Sequence, residues 1–334
     1  MKRTFLDKVK GRLNSIFLQK IQNTFLQFGA YKSYWNFVFN KNKAAVNNKS
    51  KTVYIAQKPN YGAGIGHQLA NWNAGYYFAT YYKKSFAHFP FSNNQWEKFL
   101  GFGENETSAN NLIKDKTFKK VKLPRFDSDN EQHIKLIEQI INSYREEKLL
   151  FLFAMDQGYT RQCDTMHQLS TKFFNAAVRK DEHLFYDSSK FNIAIHIRRG
   201  DIVAMKKNNE ANGNVRWLDN NYYVNVLTQT LTNLKTNKPI AIYLFSQGEK
   251  KDFKEFEQFK NLNYSLNTNP QNTFLHLVKA DVLIISKSSF SYKPALISKG
   301  IKICPANFWH NYPDTTDFIL TDNQGNIDNT SLFI

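Results

Sequence analysis

The chain has 334 residues, of which 15% are aromatic, and it carries a formal net charge of +17 at pH 7. This length and this aromatic content favour two folded domains and exclude a disordered chain. The sequence holds neither a run of about 20 apolar residues that could span a bilayer nor a recognisable signal peptide. Its two cysteines, Cys163 and Cys304, lie far apart, which excludes a zinc-binding pattern and predicts two reduced thiols.

The first fifty residues are strongly basic, with ten Lys or Arg residues and one acidic residue, Asp7. Apolar residues recur at three- and four-residue spacing from Phe5 to Phe28, which predicts a basic amphipathic helix. An aromatic stretch and a polar linker follow. Such a helix can lie on an anionic membrane surface, so we predict a cytoplasmic protein that contacts the inner face of the cell membrane through residues 1–45. The alternative is a helix that packs on the globular body.

From residue 52 onward, strand-like and helix-like patterns alternate, which predicts parallel sheets with crossover helices. The predicted strands are 52–56, 149–154, 193–197, 240–245, 282–285 and 302–304. The predicted helices are 68–82, 165–180, 222–234, 250–259 and 273–279. We therefore expect three regions: a basic helical segment at 1–50, an N-terminal Rossmann-like domain at 51–185 and a C-terminal Rossmann-like domain at 186–334.

The stretch 193–201 reads I-A-I-H-I-R-R-G-D, so an apolar strand delivers polar residues to the sheet edge where α/β proteins bind their ligands. Arg198 and Arg199 offer forked, permanently charged donors that suit a diphosphate. Because successive strand side chains face opposite ways, we do not expect both arginines to contact one phosphate equally unless the strand ends before them. One of them could hold Asp201 or a backbone carbonyl instead. The alternatives are an adhesive R-G-D tripeptide and a surface ion pair.

A serine-rich block, S-K-S-S-F-S at 286–291, follows another predicted strand. Ser288 and Ser289 can donate hydrogen bonds to a phosphate at the start of a helix. The alternative is an ordinary serine cap of that helix. The Gly-rich stretch at 61–66 lacks the spacing of a dinucleotide fingerprint, which excludes NAD binding.

The motif H-I-R-R-G-D at 196–201 resembles the H-x-R-R-G-D signature of the alpha-1,2-fucosyltransferases, glycosyltransferase family 11. It resembles more distantly the H-x-R-R-x-D of the alpha-1,6-fucosyltransferases. Further blocks resemble the family in the same order along the chain: Y-G-A-G-I-G-H-Q-L at 61–69, N-Y-Y at 221–223, L-F-S-Q-G at 244–248 and A-D-V-L-I-I-S-K-S-S-F-S at 280–291. The resemblance covers residues 52–310.

The chain departs from the family pattern at three places. The departures are His67 where the family usually has Asn, Gln247 and Gly248 in place of an acidic pair, and Tyr292, Lys293 and Pro294 in place of W-W-G. The resemblance to the wider fucosyltransferase superfamily survives these changes, whereas an alpha-1,2 linkage does not follow from it.

The resemblance implies a GT-B fold, in which two Rossmann-like domains face each other across a cleft and the C-terminal one binds most of the donor, GDP-fucose. The residues it implies for donor binding are Gly64, Gly66, Gln68, His196, Arg198, Arg199, Thr273, Ser288, Ser289, Phe290 and Ser291. We predict inverting, metal-independent transfer without a further cofactor, in which Arg198 stabilises the leaving diphosphate. The candidates for the general base are Asp201, His67 and Asp156. The expected acceptor is a saccharide hydroxyl of a surface polysaccharide or O-antigen.

Three alternatives stay open. The nearest is a GT-B enzyme that uses another nucleotide sugar. A basic nucleic-acid-binding protein would fit the net charge and the aromatic content, but about half of the excess charge lies in the first fifty residues and no nucleic-acid-binding motif occurs. The third is an inactive membrane-associated scaffold, against which the intact Arg198 and Ser289 argue.

Overall fold

The computed structural model of the chain describes residues 26–40, 51–154 and 162–327. The α-helices, in chain order, are α1 Leu26–Gly29, α2 Lys32–Asn40, α3 Ile65–Tyr81, α4 Asn94–Leu100, α5 Ala109–Lys114, α6 Glu131–Asn142, α7 Met166–Asn175, α8 Asp201–Lys207, α9 Ala211–Arg216, α10 Asn220–Asn233, α11 Pro270–Lys279 and α12 Ser289–Ile297. The strands are β1 Thr52–Gln57, β2 Ser85–His88, β3 Thr107–Ser108, β4 Lys119–Lys122, β5 Lys148–Phe153, β6 Phe191–His196, β7 Ile240–Ser246, β8 Leu262–Leu266, β9 Val282–Ile284, β10 Ile301–Pro305 and β11 Phe318–Thr321. Short 3₁₀ helices cover Gln162–Thr165, Ala177–Asp181 and Lys250–Gln258.

The described residues form two units. Unit 1 takes those within Met1–Asn60, Asn71–Phe89 and Asn105–Tyr159, and unit 2 takes those within Tyr61–Ala70, Pro90–Glu104 and Thr160–Ile334. Of the residues predicted for the N-terminal domain at 51–185, this division places 61–70, 90–104 and 162–185 in unit 2. Residues 162–185 belong to unit 2 because α7 packs on α12.

Unit 1 is built on a parallel five-stranded sheet of order β3-β2-β1-β5-β4. Strand β5 reads K-L-L-F-L-F and is buried over most of its length, as expected for a parallel strand covered on both faces. Helix α2 packs against this unit: Ser33 Oγ donates to the Lys122 carbonyl at 2.7 Å and Asn36 Nδ2 donates to Ser143 Oγ at 2.9 Å. Phe28, just before α2, is buried as well. Residues 28–40 thus contribute to the packing of unit 1.

Unit 2 is built on a parallel six-stranded sheet of order β11-β10-β9-β6-β7-β8. With β6 as its first strand this is the doubly wound order 3-2-1-4-5-6, whose order reverses between β6 and β9. The core is formed by apolar residues of β6, β7, β9 and α10, including Ile195, Leu244, Ile284 and Leu227. The prediction of an α/β protein with two Rossmann-like sheets is confirmed.

Two predicted helices are interrupted in the structure. The helix predicted at 165–180 ends at Asn175, because Ala176 adopts an extended ψ of 137° before the next 3₁₀ turn. The helix predicted at 250–259 is a 3₁₀ helix, in which the fully buried Phe253 has non-helical dihedral angles. Most of the predicted amphipathic helix from Phe5 to Phe28 lies outside the described residues. Across the described ranges, no helix is long and apolar enough to cross a bilayer.

Candidate functional site

A cavity of about 410 Å³ lies within unit 2, at the carboxyl ends of β6 and β9. Its volume is in the range of small-molecule sites, and its position is the switch point where doubly wound sheets bind ligands. Its lining includes eleven residues that the sequence predicted: Gly64, Gly66, His67, His196, Arg198, Arg199, Asp201, Thr273, Ser288, Ser289 and Phe290. It also includes residues that the sequence did not predict: Ile65, Ile197, Arg216, Ser246, Gln247, Thr268, Pro270 and Trp309.

Arg198 is hydrogen-bonded to two other residues of the cavity lining, Ser288 and Asp201. Its Nη1 donates to Ser288 Oγ at 3.1 Å, and its Nη2 donates to both carboxylate oxygens of Asp201 at 3.0 Å. Its Nε is buried and has no hydrogen-bond acceptor among the described residues. The guanidinium is therefore fixed by two partners, and the side chain remains partly exposed in the cavity.

Arg199 has a different role from its neighbour. Its side chain is buried, donates to the carbonyls of Arg198 and Leu218 and to Asn220 Oδ1, and stacks 4.0 Å from the Trp217 ring. These bonds tie the loop after β6 to the start of α10. The strand ends at His196, before both arginines, so strand alternation does not separate them, but they still have different partners: Arg198 holds Asp201, and Arg199 holds backbone carbonyls.

Gly200 lets the chain turn between these arginines and α8. Its φ of 63° is in the left-handed region, which favours glycine, and a Cβ there would overlap Gln247 Oε1. Gln247, one of the departures from the family pattern, therefore lies directly against the R-G-D turn. Any side chain at position 200 would displace it.

His196 lies at the base of the cavity in a buried polar network. Its Nδ1 hydrogen-bonds Ser286 Oγ at 2.9 Å, and Ser286 also bonds Tyr223. Burial, and then the nearby charges of Arg198 and Arg199, lower the pKa of His196 to about 3. The imidazole is therefore neutral at physiological pH. The N-Y-Y block enters the site through this network, since its Tyr223 reaches Ser286.

Ser288 and Ser289 stand at the beginning of α12. Ser288 Oγ accepts from the Phe290 amide at 3.2 Å as the N-cap and also accepts from Arg198. Because both bonds use oxygen lone pairs, its own O–H is available to donate. Ser289 Oγ is 3.0 Å from His310 Nε2. Ser288 can therefore cap α12 and donate a hydrogen bond to a ligand at the same time.

Two predicted donor-binding residues are not part of the cavity lining. Gln68 is buried, its Nε2 donates to Ala63 O and Ser92 Oγ, and its Oε1 accepts from the Ser92 amide. Ser291 is fully buried behind α12, where its hydroxyl bonds Ser286 and the Ser288 carbonyl. Both side chains hold loops that line the cavity.

The glycines of the loop before α3 differ from each other. A Cβ on Gly66 would lie 2.6 Å from the Ser289 carbonyl, whereas a Cβ on Gly64 would meet no atom within 4 Å. Gly66 is therefore required by the fold, because it allows the start of α3 to touch the start of α12. His67, next to it, is an exposed residue of the lining.

Arg216, at the end of α9, is the main residue that the sequence did not reveal. Its guanidinium lies over the Trp309 ring at 4.9 Å, and its Nε is buried without an acceptor among the described residues. Burial and then the neighbouring Arg198 lower the pKa of Arg216, while Asp201 raises it. Two cations that repel each other therefore line the same cavity, an arrangement that favours an anion between them.

The candidate bases differ in their surroundings. Asp201 gives both carboxylate oxygens to Arg198, so its evident role is to position that guanidinium. Asp156 lies outside the described residues. Within the described ranges, no three His, Cys, Asp or Glu side chains are grouped as a metal site would require, and metal independence stays a prediction.

Thr273, the remaining predicted residue, lines the cavity beside Thr268. Their hydroxyls lie 2.7 Å apart, and Thr273 belongs to the first turn of α11. Phe290 contributes an apolar surface, with its ring 5.4 Å from that of His196. The cavity therefore combines cations and hydroxyls with the rings of Phe290, Trp309 and Pro270.

No protein-family model and no curated protein sequence matches this chain. Among solved structures, the chain is similar to POFUT1 in its apo form, with 9% identity, a TM-score of 0.46, and coverage of 75% of this chain and 96% of that one. It is similar to the fucosyltransferase NodZ from Bradyrhizobium, with 13% identity, a TM-score of 0.41 and coverage of 75% and 93%. It is also similar to a NodZ alpha-1,6-fucosyltransferase soaked with GDP-fucose, with 14% identity, a TM-score of 0.40 and coverage of 75% and 93%. At such low scores these likenesses carry no functional assignment, and the fold rests on the strand orders of this chain.

Proposed function

We propose that the cavity of unit 2 binds the diphosphate of a nucleotide sugar and that the protein is a glycosyltransferase. The observation that carries this proposal is that Arg198 and Arg216 both line the cavity beside the capped start of α12. Helix N-termini and guanidiniums are the groups that most often bind phosphate.

The formal charges of the cavity agree with this ligand. Its arginines Arg198, Arg199 and Arg216 and its one carboxylate, Asp201, leave two positive charges, which match the two negative charges of a diphosphate esterified at both ends. When the sugar leaves, more negative charge develops on the diphosphate. Donors that are already in place stabilise that charge without reorganisation, which lowers the barrier.

For the donor sugar we propose fucose, supplied as GDP-fucose, on the resemblance of H-I-R-R-G-D to the fucosyltransferase motif. The reaction would invert the anomeric centre in one displacement, without a metal. His67, which is exposed and lines the cavity, is the described residue best placed to take the acceptor proton, since Asp201 is bound to Arg198. The proposed acceptor is a saccharide hydroxyl of a surface polysaccharide or O-antigen.

The proposal is tested by thermal unfolding with GDP, UDP, CDP and ADP. A ligand that binds only the folded state raises the midpoint by mass action, so GDP should raise it most. A larger shift with UDP, CDP or ADP would retain a glycosyltransferase but replace GDP-fucose as donor. If no nucleotide shifts the midpoint, the proposed function is wrong.

We also propose that the basic N-terminal segment attaches the enzyme to an anionic membrane. Because residues 28–40 pack on unit 1, this role falls to residues 1–25, outside the described residues. Deletion of 1–25 should abolish binding to anionic vesicles and leave transfer to a soluble acceptor intact. Vesicle binding that survives this deletion would contradict the proposal. Deletion of 1–45 is the less informative variant, because it also removes α2 and should destabilise unit 1.

A further inference from the structure

A chain of buried hydrogen bonds runs from the interior of unit 2 to the cavity. Lys293 Nζ donates to Gln162 Oε1, Gln162 Nε2 lies 3.2 Å from His310 Nδ1, and His310 Nε2 lies 3.0 Å from Ser289 Oγ. Lys293, Gln162 and His310 are all at least nine-tenths buried, and Ser289 lines the cavity. Lys293 is one of the positions at which the chain departs from the fucosyltransferase pattern.

The direction of each bond follows from the chemistry of its two ends. Lys293 Nζ donates to Gln162 Oε1, so the amide turns its Nε2, which can only donate, toward His310. His310 then accepts at Nδ1 and, as a neutral imidazole, carries its single proton on Nε2, which donates to Ser289 Oγ. With its oxygen already accepting, Ser289 is left to donate its own O–H.

This direction suits an anion in the cavity, because phosphate oxygens accept hydrogen bonds and do not donate them. With the opposite direction, Ser289 would donate to His310 and turn its oxygen lone pairs toward the anion. Burial, then Lys293 and His67, lower the pKa of His310 to about 3. The imidazole is therefore neutral. Each direction of hydrogen bonding then corresponds to a different tautomer of His310.

We infer that Lys293, acting through Gln162 and His310, is a positioning residue that fixes the Ser289 hydroxyl as a hydrogen-bond donor to the phosphate of the bound nucleotide. This inference rests on the proposed function. It also explains why Lys293 is fully buried. Among the described residues, Gln162 provides the side-chain acceptor for its Nζ. Burial lowers the pKa of Lys293 well below its ordinary value, and an anion at the other end of the hydrogen-bond chain would favour the ammonium form.

Gln162→Glu tests the inference because it reverses the direction with almost no change of shape. A carboxylate only accepts, so His310 would have to place its proton on Nδ1, and Ser289 would donate to His310 Nε2 instead of to the ligand. We expect GDP binding at about pH 8, where the imidazole is neutral, to weaken about tenfold. The thermal midpoint should be unchanged or higher, since the new carboxylate would pair with Lys293. Gln258→Glu, which adds the same charge at an exposed position, should bind GDP like the wild type.

The hydrogen-bond chain from Lys293 to Ser289 also predicts that the effects of two substitutions on GDP affinity are not additive and that the tautomer of His310 changes. In a Ser289→Ala background, Gln162→Glu should have no further effect on GDP affinity. In ¹⁵N spectra, His310 should carry its proton on Nε2 in the wild type and on Nδ1 in Gln162→Glu, with or without nucleotide. Wild-type affinity in Gln162→Glu, full additivity with Ser289→Ala, or an unchanged tautomer would each overturn the inference.

Lys293→Met provides a second test if Gln162→Glu does not fold. Without the Lys293 side-chain nitrogen, the Gln162 amide can rotate by 180°. GDP binding should therefore weaken a few-fold, and this effect should not add to that of Ser289→Ala. The thermal midpoint of Lys293→Met should not fall below that of the wild type, whereas loss of a stabilising contact would lower it. An unchanged GDP affinity in Lys293→Met would overturn the inference. If the wild type binds no nucleotide, the proposed function fails, and the His310 tautomer still tests the chain of bonds by itself.

Discussion

In each unit the first strand of a parallel sheet lies where the strand order reverses, beside β5 in unit 1 and beside β9 in unit 2. In unit 1, β1 ends at Gln57, a buried neutral amide whose Nε2 donates to Asn71 Oδ1 at 3.3 Å and to the Ala154 carbonyl at 3.4 Å. In unit 2, β6 leads into Arg198 and β9 into Ser288, which meet at 3.1 Å in a cavity. Two similar sheets thus offer the same position, which is held by the neutral Gln57 in unit 1 and by Arg198 and Ser288 in unit 2. The fold provides the place, and on the proposed function the side chains at the strand ends make it an anion site only in unit 2.

The largest effect that this comparison predicts is at Arg198. Arg198→Ala should lower the rate of sugar transfer by about 10² to 10³, because the lost donor acts on charge that grows in the transition state. Its free energy of unfolding should change by less than about 1 kcal/mol, since the ion pair with the half-exposed Asp201 is partly solvated. Arg145→Ala, at an exposed position of unit 1, should retain wild-type activity. If Arg198→Ala kept more than about a tenth of the activity, the role in leaving-group stabilisation would be wrong.

Arg199 sharpens the comparison, because it is an arginine of the same loop with a structural role. Arg199→Ala leaves the carbonyls of Leu218 and Arg198 without their donor. The free energy of unfolding should fall by about 2 to 4 kcal/mol, as measured by urea denaturation. If Arg198→Ala and Arg199→Ala lowered the free energy of unfolding equally, the assignment of Arg198 to ligand binding and of Arg199 to the stability of the fold would be wrong.

Gln57 probes the corresponding position of unit 1. Gln57→Ala removes a buried amide and its two hydrogen bonds, so the free energy of unfolding should fall by about 1 to 3 kcal/mol. The affinity for GDP, measured by titration calorimetry below the unfolding transition, should stay at the wild-type value. Weaker GDP binding in the folded variant would show that the end of β1 also belongs to the nucleotide site.

The smallest expected effect is that of removing divalent metals. The initial rate of GDP release from GDP-fucose should be the same in excess EDTA as with added magnesium or manganese, because the arginines supply the positive charge. A rate that returns only when metal is added back would contradict this mechanism.

The sequence predicted the sheet positions and most of the cavity because long apolar strands such as β6 and β7 lead directly into polar motifs. Short strands such as β3, with two residues, and β4, which reads K-K-V-K, carry too little pattern to be recognised. Arg216 was missed because it ends a short polar helix, and only the folded chain brings it beside Arg198. Gln68 and Ser291 show the opposite error: they lie within recognised motifs, but their side chains face away from the cavity into neighbouring loops.

The central claim, that this cavity binds a nucleoside diphosphate through its arginines, is tested most directly by titrating GDP, GMP and guanosine into the wild type, Arg198→Ala and Arg216→Ala. In the wild type, each added phosphate should strengthen binding. In both variants, the difference between GDP and GMP should shrink by roughly tenfold in Kd, since a charge-assisted bond contributes about 1.5 to 3 kcal/mol. Guanosine that binds the wild type as tightly as GDP, or a GDP-to-GMP difference that neither variant changes, would contradict the account.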